Sequence, residues 1–191
     1  MIANQFTGGV YRLQSGEKSI LVDSDNNRLK ADVYLHTTAG EDVLKSAEEG
    51  VANEIGFPGE YEIQGIEIMG VGVPEESDAK TLKTCYLITW EEMKFVFLGG
   101  IHNHPAPNVL EELDEPDVLF MNLGAKGFDA EAAAKIIKEM APKLVFVGEG
   151  KPAAELAKLL GEKPDAEDKF VFKAKDLAVG KSRVVVLKEN A

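Results

Sequence analysis

The chain contains 191 residues, of which 45% are hydrophobic and 28% are charged, and its formal net charge is −12 at pH 7. This composition is typical of a soluble globular protein that can bury a core of its own, so we expect a single domain over residues 1–191. Because an acidic surface repels phosphate groups, the charge argues against nucleic acids and anionic membranes as partners.

Short apolar runs separated by turn residues predict a strand-rich first half of the chain. A short helix is expected in "DVLKSAEEG", where Gly50 would end it. Strands are expected on both sides of the turn residues "SGE" and "SDNN", in "GGVYRLQ", "KSILVDS" and "ADVYLHT".

The middle of the chain predicts two β-hairpins. In "GEYEIQGIEIMGVGV" apolar and polar residues alternate on both sides of Gly65, which would lie near the turn. In "TCYLITWEEMKFVFLGG" the charged residues "EEMK" would form the tip between two apolar strands. Trp90 and the phenylalanines of these runs are expected in the core.

From residue 108 the pattern changes to strands alternating with helices. Helices are predicted in "NVLEELDE", capped by Asn108, in "DAEAAAKIIKEMA", capped by Asp129, and in "KPAAELAKLLG", ended by Gly161. Hairpins followed by strand–helix alternation indicate a layered α/β protein with sheet packed on sheet and helices outside. The strands of this half are predicted in "PDVLFMNL", "PKLVFVGEG", "DKFVFKA" and "SRVVVLKE".

Targeting signals and cysteine content favour a cytoplasmic location. The stretch "MIANQFTGGVYRL" lacks the basic segment and apolar run of a signal peptide, and no apolar window approaches the roughly 18 residues of a membrane helix. Cys85 is the only cysteine, which excludes an intramolecular disulfide. It lies in an apolar run, so we expect a buried residue and not a reactive thiol.

Five segments, in this order and spacing, resemble the metallo-β-lactamase superfamily, in the branch described as zinc-dependent hydrolases of the β-lactamase fold. The resemblance covers residues 8–150 and implies an α/β (α+β) fold, a four-layered αββα sandwich whose site lies along one edge of the sheets. The segments are "SILVDS", "LKADVYLHT", "GFPGEYEIQGIEI", "TCYLITWEEMKFVFLGG" and "DVLFMNLGAKGFDAEAAAKIIKEMAPKLVFVGEG".

The metal-binding motif of that family is degenerate in this sequence. The family carries a histidine, any residue, a histidine, any residue, an aspartate and a histidine after its third strand, and these residues help to hold two metals that lower the pKa of a bridging water. In "ADVYLHTTAGEDV" the two spaced histidines fall on Thr38 and Gly40, the aspartate on Asp42, and the last histidine on Val43. The aspartate that ends the family's second strand corresponds to Asp23.

The resemblance places the other family ligands on residues that differ as well. The next histidine falls near Pro74 or Glu75, the bridging aspartate on Gly100, and the final histidine on Glu149. Among these positions Asp42 matches the family, whereas Gly40, Val43 and Gly100 offer no side chain that binds zinc. We therefore expect no catalytic residues, no cofactor and no metal at the family's site.

A rearranged metal site is the alternative. Asp42, His102, His104 and Glu149 could hold zinc or another divalent metal, and Glu41, Asp42 and Glu149 could form a carboxylate cluster for a hard cation or acid–base chemistry. The competing interpretation gives these residues structural roles: His102 and His104 in a proline-rich surface loop, and Asp42 as a helix N-cap. His36 is expected to be a hydrogen-bonded structural histidine.

The sequence thus predicts a pseudoenzyme, a non-catalytic protein of this fold that acts as a binding, scaffold or regulatory module for a small molecule or a protein. The alternative is a metal-dependent hydrolase with a rearranged site, acting on an ester, a lactone or a phosphodiester. Relatives in this fold often self-associate, so a homo-oligomer is a further expectation.

Overall fold

Two β-sheets packed face to face, with helices on the outer side of the second, make up the part of the chain that the computed structural model describes, residues 1–25, 28–40, 53–177 and 180–191. The helix predicted in "DVLKSAEEG" and the cap predicted at Asp42 lie outside the described residues.

The described elements follow one another in the order strands, hairpins, then strands alternating with helices. The helices are α1 (Pro107–Glu112), α2 (Ala130–Met140) and α3 (Lys151–Leu160). The strands are β1 (Ile2–Phe6), β2 (Val10–Ser15), β3 (Lys18–Val22), β4 (Val33–Leu35), β5 (Thr38–Ala39), β6 (Glu54–Ile55), β7 (Gly59–Ile63), β8 (Ile66–Gly72), β9 (Leu82–Trp90), β10 (Met93–Phe97), β11 (Val118–Phe120), β12 (Leu144–Gly148), β13 (Ala166–Glu167), β14 (Phe170–Val171), β15 (Arg183–Leu187) and β16 (Glu189–Asn190).

The strand order brings the ends of several parallel strands to one edge. In the described chain the first sheet runs β14-β1-β2-β3-β4-β6, with β16 beside β1, and the second runs β13-β15-β12-β11-β10-β9-β8-β7, with β5 beside β9. Strands β3, β4 and β6 are parallel to one another, and so are β10, β11, β12 and β15. Their carboxyl ends are where ligands bind in open α/β sheets.

The main core fills the space between the two sheets. Its residues alternate along each strand, since successive side chains of a strand point to opposite faces. Phe97 and Phe120 of neighbouring strands stack with ring centroids 4.3 Å apart, and Tyr11 of the first sheet meets the edge of Phe120 at 5.2 Å. The predicted core position of Trp90 is confirmed, because it is 5% exposed.

A second core lies between the outer face of the second sheet and the helices. Helix α2 contributes Ile136 and Ile137 and helix α3 contributes Leu156 to it. Asp129 caps α2 as predicted, because its carboxylate accepts a hydrogen bond from the Ala132 amide at 2.8 Å. Cys85 is fully buried in this core, and burial raises the pKa of its thiol, which makes the thiolate unfavourable.

The structure corrects the sequence-based prediction at several places. Asn108 does not cap α1, because the helix begins at Pro107 and its N-cap is Ala106. Strand β1 was not predicted, since its sequence "IANQF" lacks an apolar alternation. The fold class predicted from the sequence is confirmed, because the described residues form two packed sheets with helices on the outer side of the second sheet. Within this described part, no helix is long and apolar enough to cross a membrane.

Candidate functional site

The candidate site lies where the two sheets meet at their carboxyl edge. Asp23 directly follows β3, Thr37 lies two residues after the end of β4, and Gly99 lies two residues after the end of β10. Contacts join these three residues. The resemblance assigns the metal-binding loop and the bridging ligand to this same edge.

Asp23 fastens the end of β3 to the segment that follows β4. Its carboxylate accepts hydrogen bonds from the Thr37 amide at 2.6 Å and from the Thr37 hydroxyl at 2.5 Å, and its own amide donates to the Leu35 carbonyl at 2.8 Å. Its φ of 59° lies in the left-handed region, which aspartate tolerates better than most residues. Burial raises the pKa of the Asp23 carboxyl, although both hydrogen bonds from Thr37 act to lower it.

Thr37 is fully buried and connects Asp23 to the end of β10. Its hydroxyl oxygen accepts a hydrogen bond from the Gly100 amide at 3.3 Å. Gly99 has a φ of +62°, and a Cβ at that position would lie 2.0 Å from the Thr37 hydroxyl oxygen. Glycine at this position therefore allows β10 to approach Thr37, which fixes the carboxyl edge of the site.

Lys83 places a positive charge in the site. Strand β5 pairs with β9 so that Thr38 lies opposite Lys83. The Lys83 Nζ donates hydrogen bonds to the Thr38 Oγ1 and to the Gly100 carbonyl, both at 2.9 Å. The ammonium group therefore lies between two residues that the resemblance aligns with metal ligands of the family.

The described residues at this edge do not fit the zinc centre of the family. Zinc takes three or four N, S or O ligands at near-tetrahedral angles, whereas the Thr38 hydroxyl and the Gly100 carbonyl already accept hydrogen bonds from the Lys83 ammonium. A divalent cation about 3 Å from the ammonium would be repelled by roughly 10 kcal/mol at an effective dielectric constant of about 20. In residues 1–25, 28–40, 53–177 and 180–191, no three His, Cys, Asp or Glu side chains form a metal-binding group.

The two histidines proposed for a rearranged site contact other groups. The His102 Nδ1 lies 3.0 Å from the Gly127 carbonyl oxygen. The His104 Nε2 lies 2.8 Å from the Glu139 carboxylate on α2, and its Nδ1 lies 2.9 Å from the Pro105 carbonyl. Both nitrogens of His104 thus face acceptor oxygens, and a metal ion would have to displace one of them.

The backbone of this histidine loop is held by Glu76. Its carboxylate accepts hydrogen bonds from the His102 amide at 2.9 Å and from the Asn103 amide at 2.7 Å. Glu75, which the resemblance aligns near a family histidine, is exposed in the same short turn, Pro74–Glu76.

The remaining candidates are placed as follows. His36 forms a hydrogen bond with Glu54 at 2.7 Å between the Nε2 and a carboxylate oxygen, so the prediction of a hydrogen-bonded structural histidine is confirmed. Glu149 follows β12 and lines a small cavity with Gln5 and Asn122. Asp42, Glu41 and Val43 lie outside the described residues.

Two residues of the site, Lys83 and Thr37, were not singled out from the sequence. Lys83 interrupts the apolar run of β9 at its start, which gives a weak signal for a cation near a sheet edge. Its partners are 45 residues before it and 17 residues after it, so only the folded chain brings the three together.

Comparison with known proteins identifies the family of the chain and structures that share its fold. The profile of the β-lactamase superfamily domain matches residues 7–147, and no curated protein matches the sequence. A Thermotoga maritima protein assigned to the zinc-dependent hydrolases of the metallo-β-lactamase superfamily superposes with a TM-score of 0.79 at 19% identity, covering 99% of each chain.

Two further solved structures share the fold. Igni18, a metallohydrolase from Ignicoccus hospitalis, superposes with a TM-score of 0.66 at 16% identity over 97% of this chain and 94% of its own. An isothiocyanate hydrolase from Delia radicum gut bacteria superposes with a TM-score of 0.63 at 12% identity over 91% of this chain and 100% of its own. At such identities the similarity shows the fold alone.

Proposed function

The chain belongs to the metallo-β-lactamase superfamily, and on this premise we propose that it is a non-catalytic member that acts as a binding module. The observation that carries the proposal is the position of Lys83, whose ammonium donates to Thr38 and Gly100. Hydrolysis in this fold depends on a metal-activated water, and a fixed ammonium in that place repels the cations that would activate one.

The Lys83 ammonium also supplies positive charge at the position where the family's metal ions would supply it. Asp23 is partly buried, and electrostatic interactions with His36 and Lys83 both act to lower the pKa of its carboxyl, which favours the ionised form. A buried carboxylate without a positive charge or hydrogen bonds nearby is costly. Lys83 therefore stabilises the backbone around the family's metal position and prevents metal-dependent hydrolysis there. The carboxyl edge of the sheets is then available to bind a small molecule or a protein.

A turnover assay with added zinc or manganese tests this proposal. We expect the purified chain to hydrolyse carboxylic esters, lactones and phosphodiesters no faster than buffer does. Activity that copurifies with the protein and is lost in the variant Asp23→Asn would contradict the proposal. The exposed substitution Glu92→Gln is the control for contaminating hydrolases, because it leaves the site unchanged.

The alternative function, a metal-dependent hydrolase with a rearranged site, predicts a different result for one variant. His104→Ala would abolish both metal uptake and turnover if His104 were a ligand. We expect this variant to lose only the contacts with the Pro105 carbonyl and with Glu139, which is 48% exposed, without any change in metal content. Plasma mass spectrometry of both proteins distinguishes the two outcomes.

A further inference from the structure

Strand β7 is an open edge of the second sheet. It has five residues, whereas the other strands at the ends of the two described sheets, β6, β13 and β14, have two residues each. No described strand pairs with the side of β7 that faces away from β8. Because an open edge presents unpaired backbone N–H and C=O groups, β7 can accept a strand from another chain.

The turn after β7 determines which backbone groups point outward. Both residues of the turn between Ile63 and Ile66 have a positive φ, of 53° and 78°, as in the type I′ turn of a two-residue hairpin. The hydrogen bond of this turn joins Ile63 with Ile66, and hydrogen-bonded pairs alternate with non-hydrogen-bonded pairs along an antiparallel ladder. The N–H and C=O groups of Glu60 and Glu62 therefore point away from β8, toward the open edge.

The outer face of this edge is acidic. Tyr61 and Ile63 pack toward the main core, so Glu60 and Glu62 project from the opposite face, where both are exposed. Glu67 of β8 lies directly opposite Glu62 on that same face, and like charges in such a pair are destabilising. No ion pair within the described chain involves these three carboxylates. Their charge is therefore available to a cationic partner.

An apolar floor lies beside the three glutamates. The glutamates line a groove of about 480 Å³ over β7, β8 and β9, together with Met69, Leu87 and Thr89. Met69 and Leu87 are paired in register and are partly buried against the second core. Lysine and arginine side chains fit such a surface, because their aliphatic stems cover apolar groups while their charged ends reach carboxylates. Lys94 of β10 is in register with Thr89, but no described ion pair joins it to the glutamates.

We propose that β7 binds an extended basic segment of a partner protein, which adds to the second sheet as a further strand. Basic side chains at alternate positions of this segment lie beside Glu60 and Glu62, and apolar side chains between them extend the face of Tyr61 and Ile63. A second copy of this chain is a poor occupant, because two β7 strands paired antiparallel would place glutamates opposite glutamates. This surface is separate from the Lys83 contacts, so the inference does not depend on the proposed loss of catalysis.

Fluorescence anisotropy with a short labelled peptide, in which arginine alternates with valine, tests the charge requirement. We expect saturable binding by the full chain below about 1 mM peptide. The double variant Glu60→Gln/Glu62→Gln should bind about tenfold more weakly or worse, because it removes both charges beside the added strand. The control Glu92→Gln removes one charge at an exposed position outside the groove and should leave the affinity unchanged.

A proline substitution tests the backbone pairing separately. Glu62→Pro removes an N–H that points to the open edge, a position where a strand tolerates proline because no bond to β8 is lost. This variant should bind the peptide at least about threefold more weakly than Glu62→Gln, which removes the charge alone. Circular dichroism verifies its folding. A peptide with N-methyl groups at alternate backbone positions tests the same pairing with the parent chain, and we expect it not to bind.

Four results would overturn the proposal. The first two are the absence of saturable binding and an unchanged affinity in the double glutamine variant. The third is equal binding of the N-methylated peptide or of a peptide with the same residues in scrambled order, which would indicate general attraction to an acidic chain. The fourth is a homodimer, seen by light scattering, that Glu62→Pro converts to a monomer, since β7 would then pair with a second copy.

Discussion

The Nζ of Lys83 and the Oγ1 of Thr38 lie 2.9 Å apart across the short pairing of β5 with β9. The resemblance to the metallo-β-lactamase superfamily aligns Thr38 with the first histidine of the metal loop, and in this structure the Lys83 ammonium contacts Thr38. This contact brings both a positive charge and hydrogen bonds to the carboxyl edge, and the proposed non-catalytic function depends on it.

Replacing Lys83 should destabilise the carboxyl edge. Lys83→Met removes the hydrogen bonds to Thr38 and Gly100, and we expect the free energy of unfolding to fall by about 1 to 2 kcal/mol, since Lys83 is only half-buried. The control is Lys80→Met at an exposed position, with an effect within about 0.5 kcal/mol. Urea denaturation measures both. Equal effects of the two substitutions would show that the Lys83 contacts contribute nothing.

The close approach at Gly99 makes a second prediction. Gly99→Ala should lower the free energy of unfolding by about 3 kcal/mol or more, because the new Cβ would overlap the Thr37 hydroxyl in addition to the strain of a positive φ. Gly16 also has a positive φ, of +56°, but a Cβ there meets nothing within 4 Å. Gly16→Ala should therefore cost only about 1 to 2 kcal/mol, the backbone contribution alone. Similar decreases in Tm for the two variants would contradict the overlap between a Cβ at residue 99 and the Thr37 hydroxyl.

The buried carboxyl of Asp23 should make stability depend on pH. Its pKa is raised in the folded protein by burial, so the folded state retains this proton at pH values where the unfolded chain has lost it. The contribution of Asp23 is therefore largest at low pH and declines as the pH rises from the ordinary aspartate pKa of about 4 through the raised value.

Comparing the parent chain with Asp23→Asn over this pH range isolates that contribution. The two groups that act electrostatically on Asp23 are His36 and Lys83, and both are the same in the two proteins. The difference in unfolding free energy between them should shift in favour of the variant as the pH rises. A difference that stays constant with pH would indicate that the Asp23 pKa is the same in the folded and unfolded states.

The loop that carries His102 should depend on Glu76. Glu76→Ala removes the acceptor for the His102 and Asn103 amides, and we expect a loss of about 1 to 2 kcal/mol together with faster amide exchange in this loop. Glu75→Ala, at the exposed neighbouring position, should change neither property. Hydrogen exchange followed by mass spectrometry reports the loop directly. Unchanged amide hydrogen exchange in the Glu76→Ala variant would show that Glu76 does not hold this loop.

The sequence carries enough information for most of the fold because its patterns are local. The hairpin of β7 and β8 follows from alternation around Gly65, whose φ is +78°, and helix α2 follows from Asp129 and its apolar stripe. Strand β1 has no such pattern. It is placed in the sheet partly by pairing with distant residues, since Gln5 lies in register with Glu189, which is 184 residues away in sequence.

For the site, the sequence predicted only which positions differ from the family's metal ligands. The resemblance aligns Gly100 with the bridging ligand of the family, but it does not indicate that Lys83 donates to the Gly100 carbonyl. That contact depends on where β9 runs relative to β10 and β5, which is set by pairing between distant segments. Sequence patterns indicate which face of a strand is buried, but they do not indicate which distant side chain contacts Thr38 and Gly100.

The central claim is that the Lys83 ammonium occupies the place of the family's metals, and zinc-edge anomalous diffraction from crystals soaked in zinc tests it most directly. The account predicts no anomalous peak within coordination distance of the Thr38 Oγ1 and the Gly100 carbonyl, with Lys83 still hydrogen-bonded to both. A zinc ion bound there, with the Lys83 side chain turned away, would contradict the account.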